Sequence, residues 1–291
     1  MGTFDLRPLS IGELLDRTFS LYRRNFLLFM GISAIPHLLV LAIQLAQVAA
    51  TPASFPLAPM NTEFQARASG FSSSGLATLG AFTLLTLVAN IVAYLFSQGG
   101  TVFAVSELYL GRGTTIGQSF ARVRGELGSL LGVVILNGLL TFVSFLLLII
   151  PGIYVTCRLC VCVPAALLEN LGPRESLERS FALTKDNAGR AFLILLLYVV
   201  ILYAAIFLFN VPFLFLIASA KHDAGMVRMW TGLMQVGAFV STVLVTPILT
   251  IASAIFYFDL RVRKEAFDLQ MMMHPLGGGV PTPRNPATLL S

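Results

Sequence analysis

Six uninterrupted apolar runs constrain this chain more than any other feature: 26–48, 76–96, 130–150, 153–168, 191–209 and 230–257. Each is near the length of about 20 residues that lets an α-helix cross the hydrocarbon core of a bilayer. Composition agrees, with 56% hydrophobic and 11% charged residues against about 45–50% and about 25% in soluble domains. The expected fold class is an all-α integral membrane protein with six transmembrane helices, which puts both termini on one side.

Loop charges assign that side. Arg7, Arg17, Arg23, Arg24, Arg112, Arg122, Arg124, Arg174, Arg179, Lys185, Arg190, Arg261, Arg263, Lys264 and Arg284 fall at one end of the spans, and only Arg67, Lys221 and Arg228 at the other. Lys and Arg concentrate on the cytoplasmic side, so the expected location is a bacterial cytoplasmic membrane with both termini in the cytoplasm. The net charge of +5 then faces anionic headgroups, which attract each basic residue by about 1 kcal/mol. Membrane lipid, not nucleic acid, is the partner this charge implies. The opening "MGTFDLRPLS" lacks the pattern of a cleaved signal peptide, so the first span is expected to direct its own insertion.

The segments "ELLDRTFSLYRRN" at 13–25 and "ESLERSFALTKDN" at 175–187 agree at Glu13/Glu175, Leu15/Leu177, Arg17/Arg179, Phe19/Phe181, Leu21/Leu183 and Asn25/Asn187, which is a repeat signal. Just upstream, Ser10 and Glu13 fit a capping box, in which the Ser hydroxyl accepts from a free amide and the acid reaches back to the cap. Thr115 and Gln118 fit the same box, and Gly172, Pro173 and Glu175 give a third helix start in phase. Ile11, Leu15, Phe19, Tyr22 and Phe26 share one helix face, with Glu13, Asp16, Arg17, Ser20 and Arg24 on the other. Glu13 with Arg17 and Glu175 with Arg179 have the spacing of i,i+4 ion pairs.

Each amphipathic start is expected to lie in the cytoplasmic interface, with Arg17, Arg122 and Arg179 as interfacial basic residues, and to lead into a two-span hairpin. The exits "ELYLG" at 107–111, "ENLG" at 169–172 and "FDL" at 258–260 each carry an acid. The expected organisation is one membrane domain, 1–268, of three parallel repeats at about 10–112, 113–171 and 172–268, related by rotation about the membrane normal. A mobile tail is expected at 269–291. The outer connections are expected to be an irregular polar loop at 51–75, a tight turn at Pro151-Gly152, and a segment where Asn210 and Pro212 break the helix, leaving 213–217 as a short interfacial or re-entrant piece.

Chemistry is sparse. Cys157, Cys160 and Cys162 have no histidine nearby to complete a metal site and read as small packing residues. His37, His222 and His274 are scattered, and no zinc-protease, nucleophile-elbow or phosphate-loop pattern is present. No catalytic, cofactor or metal set is expected. Gln44, Asn90, Gln98, Asn137 and Gln235 read as contacts between helices, His37 as a neutral group bonded to a carbonyl freed by Pro36, and Gly128 with Gly132 as a site of close helix approach. Arg158 is the formal charge well inside a span. It is expected about 10 Å below the outer end, level with Gln44, Tyr203 and Gln235. Either it snorkels outward along the lipid face, or, in the favoured reading, it turns inward to a hydrated crevice where a lipid phosphate satisfies it.

The segments "LRPLSIGELLDRTFSLYRRN" at 6–25, "PGIYVTCRLCVCVPAALLENLGPRESLERSFALTK" at 151–185 and "FYFDLRVRKEAFDL" at 256–269 resemble the bacterial glycerophosphoryl diester phosphodiesterase membrane-domain family. The resemblance covers the chain except the first outer loop and the tail. In some relatives this domain is fused to a soluble hydrolase barrel of roughly 250 residues, which none of these 291 residues supplies. It therefore implies a membrane module without catalytic residues. Two function classes remain: a non-catalytic lipid-binding or scaffold module serving a membrane-associated partner or a second copy, or a transporter or channel for a small or lipidic solute. The first is favoured because the spans hold no acid for cation coupling and their polar residues form no ladder.

The charge asymmetry predicts that, in a cysteine-free background, a single cysteine at Arg112 is labelled only from the cytoplasmic side and one at Thr62 only from outside. Cytoplasmic labelling of Thr62 overturns the orientation.

Overall fold

The computed structural model describes residues 9–50, 73–220 and 223–265. The tail and most of the first outer connection lie outside them. Among the described residues the chain forms nine helices and no strand: α1 (Ile11–Arg24), α2 (Phe26–Ala50), α3 (Ser73–Tyr109), α4 (Ile116–Leu147), α5 (Ile149–Leu159), α6 (Cys162–Glu169), α7 (Pro173–Thr184), α8 (Ala188–Ser219) and α9 (Ala224–Glu265). Six stretches are long and apolar enough to cross a membrane, with α5 and α6 together making the fourth.

All three helix starts have capping geometry. The Ser10 hydroxyl accepts from the Glu13 amide at 3.3 Å while the Glu13 carboxylate accepts from the Ser10 amide at 2.8 Å. Thr115 and Gln118 repeat the exchange at 3.4 and 3.0 Å. Gly172 has no side chain to contribute, so only the return bond survives, from its amide to Glu175 at 3.2 Å.

Beyond the caps, the three capped helices diverge for a local reason. Asn25 ends α1, its side-chain amide donating to the Leu21 carbonyl at 3.2 Å and its own carbonyl accepting from Phe29 in α2. Asn187 likewise accepts from Ala191 as α8 begins. The corresponding position of the middle copy is Leu130, which offers no competing side-chain bond. There the entrance and the span fuse into the single helix α4.

Each hairpin pairs consecutive spans, α2 with α3, α4 with α5 and α8 with α9, while α3, α6 and α9 pack on one another. α8 is the most peripheral span, with 6% of its apolar window buried inside the protein. An all-round apolar helix so little covered by protein belongs against lipid. Burial is concentrated where the units begin and end, in a cluster joining Leu9, Leu14, Phe29, Ala104, Val161, Leu183, Ile255 and Tyr257. α1 lies along the last part of α9, with the Tyr22 hydroxyl donating to the Leu244 carbonyl at 2.9 Å. Burial pushes that hydroxyl's pKa up to about 12. The side of α1 that is fully buried is Leu14, Thr18 and Leu21, rotated from the expected Leu15 and Phe19 face, which lines a shallow apolar recess with Ile194 and Tyr198 of α8.

Two expected connections are corrected. The second hairpin turns at Leu148, the residue with extended backbone between α4 and α5. Pro151-Gly152 lies in the first turn of α5, where a proline's missing amide costs nothing. α8 continues through Asn210 and Pro212 to Ser219, so 213–217 is ordinary helix. Asn210 bonds its own helix at the Ile206 carbonyl, at 3.2 Å. The fourth span is interrupted instead at Cys160–Val161. Pro164 opens α6 and cannot donate to the Cys160 carbonyl, which stops a continuous helix there.

Gly237 allows α9 to press on α8, since a Cβ there would collide with the Phe209 carbonyl. Gly237→Ala is expected to destabilise by about 1–3 kcal/mol, read as a lowered Tm in detergent. Gly138→Ala, where nothing lies within 4 Å of an added Cβ, should leave the Tm unchanged or raised.

Candidate functional site

The polar chemistry gathers at the basic end, where each hairpin exit meets the next helix start. Glu107, closing the first hairpin, accepts from Arg122 of α4 at 2.6 Å. Glu169, closing the second, accepts from Arg179 of α7 at 2.8 Å. Asp259, closing the third, accepts from the backbone amide of Leu9, just ahead of α1, at 2.7 Å. The third contact joins residues 250 apart in sequence and closes the ring.

Asp259 is the most enclosed of these acids, with its carboxylate fully buried. Arg190 of α8 donates to it at 2.7 Å and reaches the Leu9 carbonyl at 2.8 Å. Arg263 pairs with the same carboxylate at 3.0 Å and also donates to the Leu9 carbonyl. Two guanidinium groups and one carboxylate thus satisfy both backbone groups of a buried residue, as burial away from water requires.

A second network surrounds Glu169, which accepts from the Tyr257 hydroxyl at 2.6 Å and from Arg179. Arg179 also pairs with Glu265, which accepts from Arg261 at 3.0 Å. Burial alone would lower the Arg179 pKa, but hydrogen bonds and charge from Glu169 and Glu265 raise it above its ordinary value. Arg179 therefore serves these acids instead of the expected Glu175, which caps Gly172. Of the other two interfacial arginines, Arg122 pairs with Glu107, and Arg17 lies 3.4 Å from the Tyr109 hydroxyl.

Arg158 turns its side chain toward α7. Its Nη2 donates to the Phe181 carbonyl at 2.7 Å, and its guanidinium lies 5.3 Å from the Phe181 ring centre and 5.8 Å from that of Tyr154. Its own carbonyl, left without a helical donor by the break, accepts from the Ser180 and Thr184 hydroxyls at 2.8 and 3.0 Å. α7 rises only about 7.5 Å between Arg179 and Thr184, so the contacts Arg158 makes with α7 lie close to Arg179 of the Glu169 network. Along unbroken α5, Arg158 lies about 15 Å from the turn at Leu148, and the break at Cys160–Val161 follows it. Among the described residues no hydrogen bond links Arg158 to Gln44, Tyr203 or Gln235, and Tyr203 is 67% exposed.

Other polar residues divide cleanly. Gln98 accepts from Thr250 at 2.8 Å and Ser33 pairs with Ser97 at 3.0 Å, each joining two spans. Asn90 and Asn137 bond within their own helices. His37 bonds the Ser33 carbonyl at 2.8 Å, one residue beyond the Ile32 carbonyl that Pro36 frees. Gly132 packs on Pro173 of α7, while Gly128 is open. Among the described residues no group of three His, Cys, Asp or Glu side chains could hold a metal ion.

The fold and these clusters define an all-α, multi-pass membrane protein whose spans are tied together at one basic end. No protein-family model, curated protein or solved structure matches the chain.

Sequence reasoning did not find the Asp259, Arg190 and Leu9 cluster, although Asp259 stood in register with Glu107 and Glu169 as an exit acid. Asp259→Ala leaves Arg190 without its carboxylate and the Leu9 amide without an acceptor in a buried place and should cost about 3–5 kcal/mol, measured as loss of thermal stability in detergent. Arg174→Ala, which removes an exposed ion pair with Glu178, should change stability by less than about 1 kcal/mol.

Proposed function

We propose that the chain is a non-catalytic module of a bacterial cytoplasmic membrane, with its basic end in the cytoplasm, that binds anionic lipid headgroups and presents that end to a membrane-associated partner or a second copy. The observation that carries the proposal is the closed state of the acids. Glu169, Glu265 and Asp259 are all engaged by arginines or Tyr257, which leaves them poorly placed as general bases or metal ligands. The exposed basic residues around them, including Arg23, Arg24, Arg124, Arg174, Lys185 and Lys264, form a cationic rim suited to anionic headgroups. Gln98 with Thr250 and Ser33 with Ser97 are consumed in pairs that tie neighbouring spans together, which favours a rigid module over a conduit. The resemblance to the glycerophosphodiesterase membrane domain supports the same reading.

Lipid and protein mass spectrometry of the chain purified from native membrane tests it. Enrichment of anionic over zwitterionic phospholipid, no turnover of glycerophosphodiesters and no solute flux in proteoliposomes are the expected results. Turnover that a variant of this same chain abolishes, or protein-dependent flux, replaces the proposal with an enzyme or a transporter.

A further inference from the structure

We infer that the seam between α5 and α7 is a binding site for the phosphate of an anionic phospholipid, with Arg158 as its principal ligand; the inference rests on the lipid-binding reading and gives it an address. The first ground is charge. Arg179, Arg190 and Arg261 are similarly half-buried, and each has a carboxylate at 2.8, 2.7 and 3.0 Å respectively. Arg158, also half-buried, has none among the described residues. A cation withdrawn from water without a counter-charge is costly, so an anion from outside the chain completes the site.

The second ground is the donor count. A guanidinium carries five N–H groups, and Arg158 spends one on Phe181. Its Nε is buried with no partner at all. The Tyr154 and Phe181 rings stand within cation–π reach and restrict where the group can go. With Nε shut away, the remaining N–H groups of Nη1 and Nη2 are the ones left to meet two oxygens of one phosphate.

The third ground is direction. Ile150, Tyr154 and Arg158 follow one another at four-residue spacing, on one face of α5. Ile150 is 80% and Tyr154 53% exposed, so that face is open to hydrocarbon from the hairpin tip down to Arg158. A lipid lying along it has its chains against Ile150 and Tyr154 and its phosphate at Arg158, the end of that face nearer the basic residues of α7. Thr184, bonded to the Arg158 carbonyl, is followed by the exposed Lys185, a second cation beside the seam for the headgroup.

The test is retention of phosphatidylglycerol against phosphatidylcholine by native mass spectrometry, comparing the full chain with Arg158→Gln, Arg158→Lys and an Arg228→Gln control at the opposite end of the spans. Arg158→Gln should lower phosphatidylglycerol retention on the order of tenfold, Arg158→Lys should lie between it and the parent, and Arg228→Gln should match the parent. If the parent shows no preference for phosphatidylglycerol, the lipid-binding reading itself fails and takes this site with it. If the parent shows the preference and Arg158→Gln keeps it, the reading stands and the site is overturned. Should Arg158→Gln not fold, Arg158→Lys decides alone, and parental retention overturns the site. In delipidated protein, phosphatidylglycerol should raise the Tm in an Arg158-dependent way; an equal rise with inorganic phosphate would make this a free-phosphate site and overturn the assignment to lipid.

Discussion

The buried carboxylate of Asp259 holds the ends of the molecule together. Its two oxygens are shared between the Leu9 amide, Arg190 and Arg263, so the segment before α1, the start of α8 and the end of α9 meet on one side chain. Inside a protein such an arrangement is favourable only when every member is satisfied. The arginines meet this condition by also donating to the Leu9 carbonyl. Helices in lipid gain little from hydrophobic association, because acyl chains are as apolar as leucine. A bundle whose spans are mostly apolar and exposed away from the basic end is therefore held by polar contacts and close packing where its hairpins begin and end.

The spans and the caps were legible in the sequence because both are local. A run of about 20 apolar residues has one stable state in a bilayer, and a Ser or Thr three residues ahead of Glu or Gln specifies its own geometry. The turn and break positions were less legible, because a proline's effect depends on its place relative to the helix start. Pro151 and Pro164 both lie in first turns, so the chain turns at Leu148 and breaks at Cys160–Val161, upstream of each. Pro212 sits mid-helix, yet α8 continues, with α9 pressed close at Gly237. Tertiary packing overrides the local preference there.

The site residues were hardest to read because their partners are distant in sequence. Spacing along one helix suggested Glu175 for Arg179, but the fold supplies Glu169 and Glu265. These acids are partly buried, and the exposed alternative four residues away would gain only a few tenths of a kcal/mol. The same logic explains Arg158, whose partner, the Phe181 carbonyl, lies 23 residues away on another helix.

The second hairpin, α4 with α5 and α6, departs from the other two in ways that share a cause. Leu130 replaces the asparagine that ends the first entrance and precedes α8, so α4 passes without a break from its capped start into its span. Its return path is only 21 residues and is broken at Cys160–Val161. The break frees the Arg158 carbonyl, and a free carbonyl away from water must find a donor. The Ser180 and Thr184 hydroxyls supply it, which draws the end of α7 against α5 and places the Phe181 carbonyl and ring beside the Arg158 side chain. The unusual cation of this chain is thus held at the one span whose backbone is interrupted, and the interruption itself builds the seam in which it sits.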